Sequence, residues 1–306
     1  MTAILQDIVA VFAVLALGWL AGRRSAFSQE QAEGLLHLVL TYALPATLFV
    51  SIVRSTRAEL FSDGRMLGLA AVVLVGWQAV GFAVARRGFG RDRREAGIAS
   101  LATAAPTIGF LGTAVLVPTY GAPSVLSIAI VALVINLVMI PLTVFLIAPA
   151  DSGPRAALVT AIRQPLVLAP LVAVLLVLAG LSVPAVVLEP LGLIAHANSG
   201  VAVFAAGLML AANRPRLDRE IAWNSLVKLV LMPGSMLAGA LWIGLSGDRL
   251  EELVMLAALP SLFTSVVLAG RYRVYVEPAT STMVVTSIGF ALAAPAWIAL
   301  ARAVGG

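Results

Sequence analysis

Residues 101–123 read "LATAAPTIGFLGTAVLVPTYGAP", a long apolar run with Pro106 near its start. Inside a helix a proline removes a backbone donor and collides with the preceding turn, at a cost of about 3 kcal/mol or more. In hydrocarbon the carbonyls it frees have no water to turn to. A second stretch repeats the arrangement: "MLAALPSLFTSV", residues 255–266, carries Pro260, 154 residues after Pro106. Pro141 and Pro295 are separated by the same 154 residues. A simple kink would account for either proline of the first pair alone. The symmetric pair points instead to two discontinuous helices that meet at a binding site. Irregular backbone persists at membrane depth where protein buries it or where it lines a watery cavity.

Composition sets the surroundings of these breaks. Hydrophobic residues make up 61% of the chain and charged residues 11%, with a mean hydropathy of +1.03. Soluble domains lie near about 45–50% and about 25%. At about 20 residues per crossing, the apolar runs give spans near 3–22, 33–53, 66–85, 96–119, 123–148, 163–181, 191–212, 224–246, 251–271 and 278–301. The expected fold is an all-α polytopic membrane protein. It has ten transmembrane helices in two inverted five-helix repeats, with crossed, broken helices 4 and 9. An odd number of crossings per repeat forces the inversion. The first repeat covers 1–149, a cytoplasmic linker 150–162, and the second repeat 163–306. Ala21-Gly22 and Ala179-Gly180 also recur 158 residues apart, and the two histidines, His37 and His196, 159 apart. Ser28 and Gln31 stand at capping-box spacing and start the second span early, as an interfacial turn.

Charge gives orientation. Fifteen basic residues, from Arg23 to Arg273 and with Lys228 among them, fall in loops after odd-numbered spans, against five on the other side. Such an excess marks the cytoplasmic face, so both termini face outward from the cytoplasmic membrane. The same reading explains the basic pI without nucleic acid, since the arginines flank spans. The N-terminal run carries Asp7 and is followed by Arg23 and Arg24, the reverse of a cleaved signal peptide, and reads as the first span. The absence of cysteine excludes disulfides, thiolate metal sites and cysteine nucleophiles. No cofactor is implied.

An anion fits the two breaks. The half-helix after Pro106 begins with Thr107, Ile108 and Gly109, and the one after Pro260 with Ser261, Leu262 and Phe263. Each offers unpaired amides and a partial positive charge of about half an electron, and Thr107 and Ser261 add hydroxyls. Gly112, six residues after Pro106, is expected to allow close backbone approach. Asn136 lies in mid-span, where polar residues are rare and often functional; an interhelical hydrogen bond is the alternative. Asn198 and Ser199, in the seventh span, are further polar candidates. Thr264 and Ser265 follow Pro260 by one turn, as liners or as donors to their own helix. Thr41, Thr47 and Gln78 are weaker candidates, and the histidines read as interfacial anchors near span ends. All acidic residues lie at or near span ends, which favours uniport or weak coupling over a carboxylate-driven cycle.

Around these prolines the sequence resembles the auxin efflux carrier family, which includes plant carriers and bacterial malonate-type carriers. The family spacing is met by Pro106, Gly112, Tyr120 and Gly121 in the fourth span, and by Ala258, Leu259, Pro260 and Tyr272 in the ninth. Pro45 in "YALPATLF" fits the family's second span. Plant members have Asn where this chain has Thr107, and many have a long cytoplasmic loop that is missing here. The resemblance implies a scaffold of spans 1, 2, 6 and 7 and a moving unit of spans 3–5 and 8–10. It also implies an elevator-like motion, homodimers in a lipid bilayer, and small organic anions as cargo.

Two other classes fit the sequence less well. A relative of the bile-acid–sodium symporters would share the architecture, but its sodium sites use acidic and amide side chains that this crossover lacks. An intramembrane enzyme would need a nucleophile–base pair or clustered carboxylates. His196 and Ser199 are the one pair at helical spacing, so a non-enzymatic role is expected.

Overall fold

A computed structural model describes residues 2–54, 64–121, 124–148, 159, 163, 165–212 and 217–305. Within them every regular element is a helix. The first part comprises α1 (Thr2–Arg23), α2 (Gln29–Leu38), α3 (Leu44–Val53), α4 (Gly64–Arg87), α5 (Arg93–Ala104), α6 (Ile108–Tyr120), α7 (Ser124–Val134) and α8 (Ile140–Ile147). The second comprises α9 (Pro165–Ala179), α10 (Ala185–Ala212), α11 (Arg219–Leu226), α12 (Met232–Trp242), α13 (Gly247–Ala258), α14 (Phe263–Tyr272) and α15 (Val276–Gly305). Single π-helical turns, Val39–Ala43, Ile135–Met139 and Val227–Leu231, join α2 to α3, α7 to α8 and α11 to α12. Each is followed by a proline in the first turn of the next helix: Pro45, Pro141 and Pro233. A π turn holds one residue more than an α turn, so the chain can meet proline without a break.

Among the described residues, four helical runs are long and apolar enough to cross a membrane unaided: Gly64–Arg87, Ser124–Ile147, Arg219–Trp242 and Val276–Gly305. With the shorter apolar helices they make a polytopic membrane protein. The linker 150–162 lies outside the described residues apart from Val159.

Helix starts follow local chemistry. Ser28 and Gln31 cap reciprocally, Ser28 N–H to Gln31 Oε1 at 2.8 Å and Gln31 N–H to Ser28 Oγ at 3.2 Å, as their spacing predicts. Asp92 and Glu95 form a full capping box at α5. At the opposite pole of a neighbouring helix, Arg93 donates to the Phe145 carbonyl (3.0 Å) and Arg94 to that of Ile147 (3.2 Å). Cations there complement the negative end of α8.

Two boundaries differ from expectation. α10 starts at Ala185 rather than near 191, with Pro190 inside it, so His196 stands near mid-helix rather than at a span end. A proline early in a helix removes few bonds, because the first amides lack partners anyway. The eighth span starts at Arg219 rather than near 224, capped by Asp218 through the Ile221 amide (2.9 Å).

The core sits on α5, α13 and α14. Every residue from 96 to 108 and from 251 to 270 is buried, so these segments are enclosed on all sides. α1 and α10 pack on each other elsewhere, through small residues. A Cβ on Gly18 would lie 2.1 Å from the Phe204 carbonyl oxygen, and one on Gly207 2.2 Å from that of Leu15. Membrane helices approach this closely where side chains are absent.

Candidate functional site

Both sequence-predicted breaks exist, and they cross each other. α5 ends at Ala104 and α6 resumes at Ile108; α13 ends at Ala258 and α14 resumes at Phe263. α5 and α13 each have 12 residues and start 154 residues apart. Between them Pro106 and Ser261 form an antiparallel bridge. Thr107 N–H donates to the Pro260 carbonyl at 2.9 Å, and Leu262 N–H to that of Ala105 at 2.8 Å. Each break thus supplies the partners the other lost.

The remaining freed groups are met by side chains. Ser261 Oγ donates to the Ala102 carbonyl (2.6 Å), which Pro106 leaves without its usual donor four residues on. Ser261 N–H donates to Thr286 Oγ1 (3.1 Å) instead of to Ala257. The Ala257 carbonyl accepts from Lys228 Nζ at 2.8 Å. Lys228 lies in the π turn before α12 and is fully buried. The expectation that it belongs to a cytoplasmic loop is therefore corrected.

The crossing also narrows what the breaks can offer an anion. The amides of Thr107, Ser261 and Leu262 are engaged within it, and Ile108 N–H turns back to the Pro106 carbonyl (3.1 Å). Phe263 and Thr264 supply the first amides of α14, which a helix leaves without internal acceptors. The positive ends of α6 and α14 remain directed at the crossing.

Beside it lies a cavity of about 150 Å³. Its polar lining is Thr47, Ser51, Thr107, Asn136 and Thr264; the rest is aliphatic apart from Phe263. Among the described residues, none of the lining side chains is charged. One wall belongs to the π turn before α3 and to α3 itself, through Val39, Leu44, Thr47, Leu48 and Ser51. The opposite wall is the crossing together with α7 and its π turn, where the widened backbone carries Asn136.

The predicted site residues therefore separate. Thr107, Asn136 and Thr264 are brought together around the cavity. Pro106, Pro260 and Ser261 form the crossing behind its wall, and Ser265 Oγ donates to the Leu262 carbonyl of its own helix (2.7 Å). Gly112 lies within α6, where a Cβ would meet nothing nearer than 3.4 Å, so no close approach requires glycine there. Gly109 opens α6, but its surroundings fall outside the described residues, as do the side chains of Asn198 and Ser199 on α10. Gln78 is structural: its Nε2 donates to the Met139 carbonyl (3.1 Å) and to Thr143 Oγ1 (3.0 Å). Thr41 and His37 contact each other at the end of α2, where His37 also meets Arg271. Sequence reading missed Ser51 and Lys228. Lys228 had a signal, as the only lysine among twenty basic residues.

A polar chain ties the crossing to one end of the bundle. Thr103 Oγ1 donates to Asn224 Oδ1 (2.9 Å), and Asn224 Nδ2 reaches Thr282 Oγ1 (3.2 Å) and Tyr275 Oη (3.3 Å). Tyr275 Oη donates to Glu220 (2.7 Å), which Arg91 clamps at 2.6 Å while stacking on the Tyr275 ring. Burial, reinforced by the Glu220 carboxylate, pushes the Tyr275 phenol well above its ordinary range, so it stays a donor. Tyr275 also adopts a left-handed backbone (φ 59°), strained for an aromatic residue and held by these contacts. At the opposite end Glu252 pairs with Arg249 (3.3 Å) and Ser127, and Glu251 with Arg302 (3.1 Å).

Crossed broken helices, a mainly aliphatic cavity with a few polar groups beside them, and apolar helical runs are the features of a polytopic membrane transporter. The chain belongs to the membrane transport protein family, whose model matches residues 3–298 and which is the auxin efflux carrier family of the sequence resemblance. It is 39% identical over 312 residues to the "Uncharacterized transporter YfdV" of Escherichia coli (strain K12), covering 99% of each chain. It is 27% identical over 292 residues to the "Putative malonate transporter" of Rhizobium meliloti (strain 1021), covering 90% of this chain and 89% of that one. A 99-residue stretch, 31% of this chain, is 30% identical to 16% of "Auxin efflux carrier component 1" of Arabidopsis thaliana. These family assignments point to transport rather than catalysis.

Proposed function

We propose that the protein is a secondary carrier of small organic anions, carboxylates such as malonate or auxin-like acids, in the cytoplasmic membrane. In this reading residues 1–149 and 163–306 are inverted five-span repeats with both termini outside. Spans 1, 2, 6 and 7 (α1–α3, α9 and α10) form a scaffold, and α4–α8 with α11–α15 form a unit that slides as an elevator. The observation that carries it is the cavity, whose walls divide between these two bodies, α3 on one side and the crossing on the other. A cargo held there would leave the scaffold wall when the unit moves.

The chemistry of the wall supports an anion. Two helix N-termini and neutral hydroxyl and amide donors bind negative charge without a fixed cation, which also permits release. A volume of about 150 Å³ corresponds to about five waters at bulk density, the scale of a small carboxylic acid.

The test is charge movement by purified protein in liposomes on a solid-supported membrane, with malonate, other dicarboxylates and aromatic monocarboxylates. A saturable response to one anion class, weakened severalfold by Asn136→Ala or Thr107→Val, is expected. Binding of none of these anions by folded protein would reject the reading.

A further inference from the structure

Inside the proposed moving unit lies a fully buried amine that is not part of the cavity lining. Lys228 is fully buried, with Nζ 2.8 Å from the Ala257 carbonyl and 3.9 Å from Met232 Sδ. Its π turn packs against α5, α11, α12, α13 and α15. On α5 the charged residues are Arg93, Arg94 and Glu95, all in the first turn, with none from 96 to 104. On α11 they are Arg219 and Glu220; Glu220 lies eight residues before Lys228 and is bound to Arg91 and Tyr275. α12 has none. α13 has Asp248, Arg249, Glu251 and Glu252, with none from 253 to 258. α15 has Glu277 and Arg302 at its ends. Among the described residues, no carboxylate pairs with Lys228.

An ammonium group so placed has one carbonyl and one thioether for partners, and a buried charge without a counterion is expensive. A guanidinium would have to bear that cost, since it does not give up its proton in proteins, whereas a lysine amine can. The chain uses arginine at its nineteen other basic positions and lysine only here. Either protonation state can donate to Ala257, so the break stays satisfied while the charge changes. Residues 258–261 alone separate that carbonyl from the Leu262 and Thr264 wall of the cavity. A negative charge in the cavity stabilises the ammonium relative to the amine.

We propose that Lys228 Nζ is the proton site of the transport cycle, accepting one proton from water as the anion binds and returning it to water on the far side. Resting on the carrier reading, this makes the protein an anion–proton symporter that needs no membrane-embedded carboxylate.

Because the chain has a single lysine, lysine labelled with ¹⁵N at Nζ, incorporated into the intact protein in nanodiscs, reports this group alone. The resonance would be followed from about pH 5 to about pH 10, with and without malonate. The expected result is a change of protonation state within that range, displaced towards ammonium by malonate. In liposomes, wild-type malonate flux should rise by up to about tenfold per unit fall in pH while proton occupancy is low. Lys228→Met should flatten this dependence. Lys228→Arg should bind malonate but lose at least about tenfold in flux, since a guanidinium cannot release the proton. A resonance fixed in one protonation state, or Lys228→Arg with full pH-dependent flux, would overturn the proposal. Loss of malonate binding and flux in the unaltered protein would strike instead at the carrier reading.

Discussion

The α1–α10 pair and the crossing of α5–α6 with α13–α14 are both close contacts between apolar segments, held in opposite ways. At α1–α10 nothing fills the space: Gly18 and Gly207 let backbone meet backbone. At the crossing every approach is mediated by a polar group, from the Thr107 and Leu262 amides to the Ser261, Thr286 and Lys228 side chains. The first contact has no slack, because any added atom lands on main chain. The second is a set of separate bonds, each removable at a limited cost. A fixed platform suits the first kind of contact, and a site that must accommodate cargo suits the second.

Adding atoms to the dry pair should have the largest effect. Gly207→Val places a branched side chain against the Leu15 carbonyl oxygen, and should cost about 3 kcal/mol or more by overpacking, seen as loss of monodisperse protein or a much lower unfolding temperature in detergent. Thr286→Val should come next. It leaves the buried Ser261 amide without an acceptor, worth about 1–3 kcal/mol, and the same melting assay should show a moderate loss with the fold retained. Ser261→Ala leaves the buried Ala102 carbonyl without a donor and should cost about 1–2 kcal/mol, towards the lower end of the range for an unpaired buried group. Gly112→Ala should stay within about 0.5 kcal/mol, since its Cβ meets ordinary contacts; a large loss there would mean that α6 is packed more tightly than the distances indicate. If Thr286→Val proved as damaging as Gly207→Val, the contrast between the two contacts would fail.

The breaks themselves were legible because proline acts locally: it deletes a donor wherever it stands, so Pro106 and Pro260 mark where carbonyls go unmet. What meets them was not legible. The first-turn amides looked free for an anion, yet two of them pair across the crossing, a contact between residues 153 and 157 apart in sequence that no local pattern encodes. Lys228 was misplaced for a related reason. A charged residue at the edge of an apolar run reads as the end of a span, and only the tertiary demand of the Ala257 carbonyl explains a cation inside one. Asn136 and Thr264 were found because polar residues in apolar runs are conspicuous, whereas Ser51, small and near a helix end, was not.

The π turns have a consequence for how this chain tolerates change. Each holds a residue beyond what the helical phase requires, so the apolar faces before and after it stay in register only while the surplus is kept as a bulge or removed outright. An insertion or deletion elsewhere in these helices rotates everything beyond it by about 100°. Deleting Val138 from the turn Ile135–Met139 would instead leave α7 and α8 in phase and erase the bulge alone. Such a deletion would preserve the lipid-facing and core-facing stripes while withdrawing Asn136 from the cavity, separating the helix as a wall from the helix as a ligand.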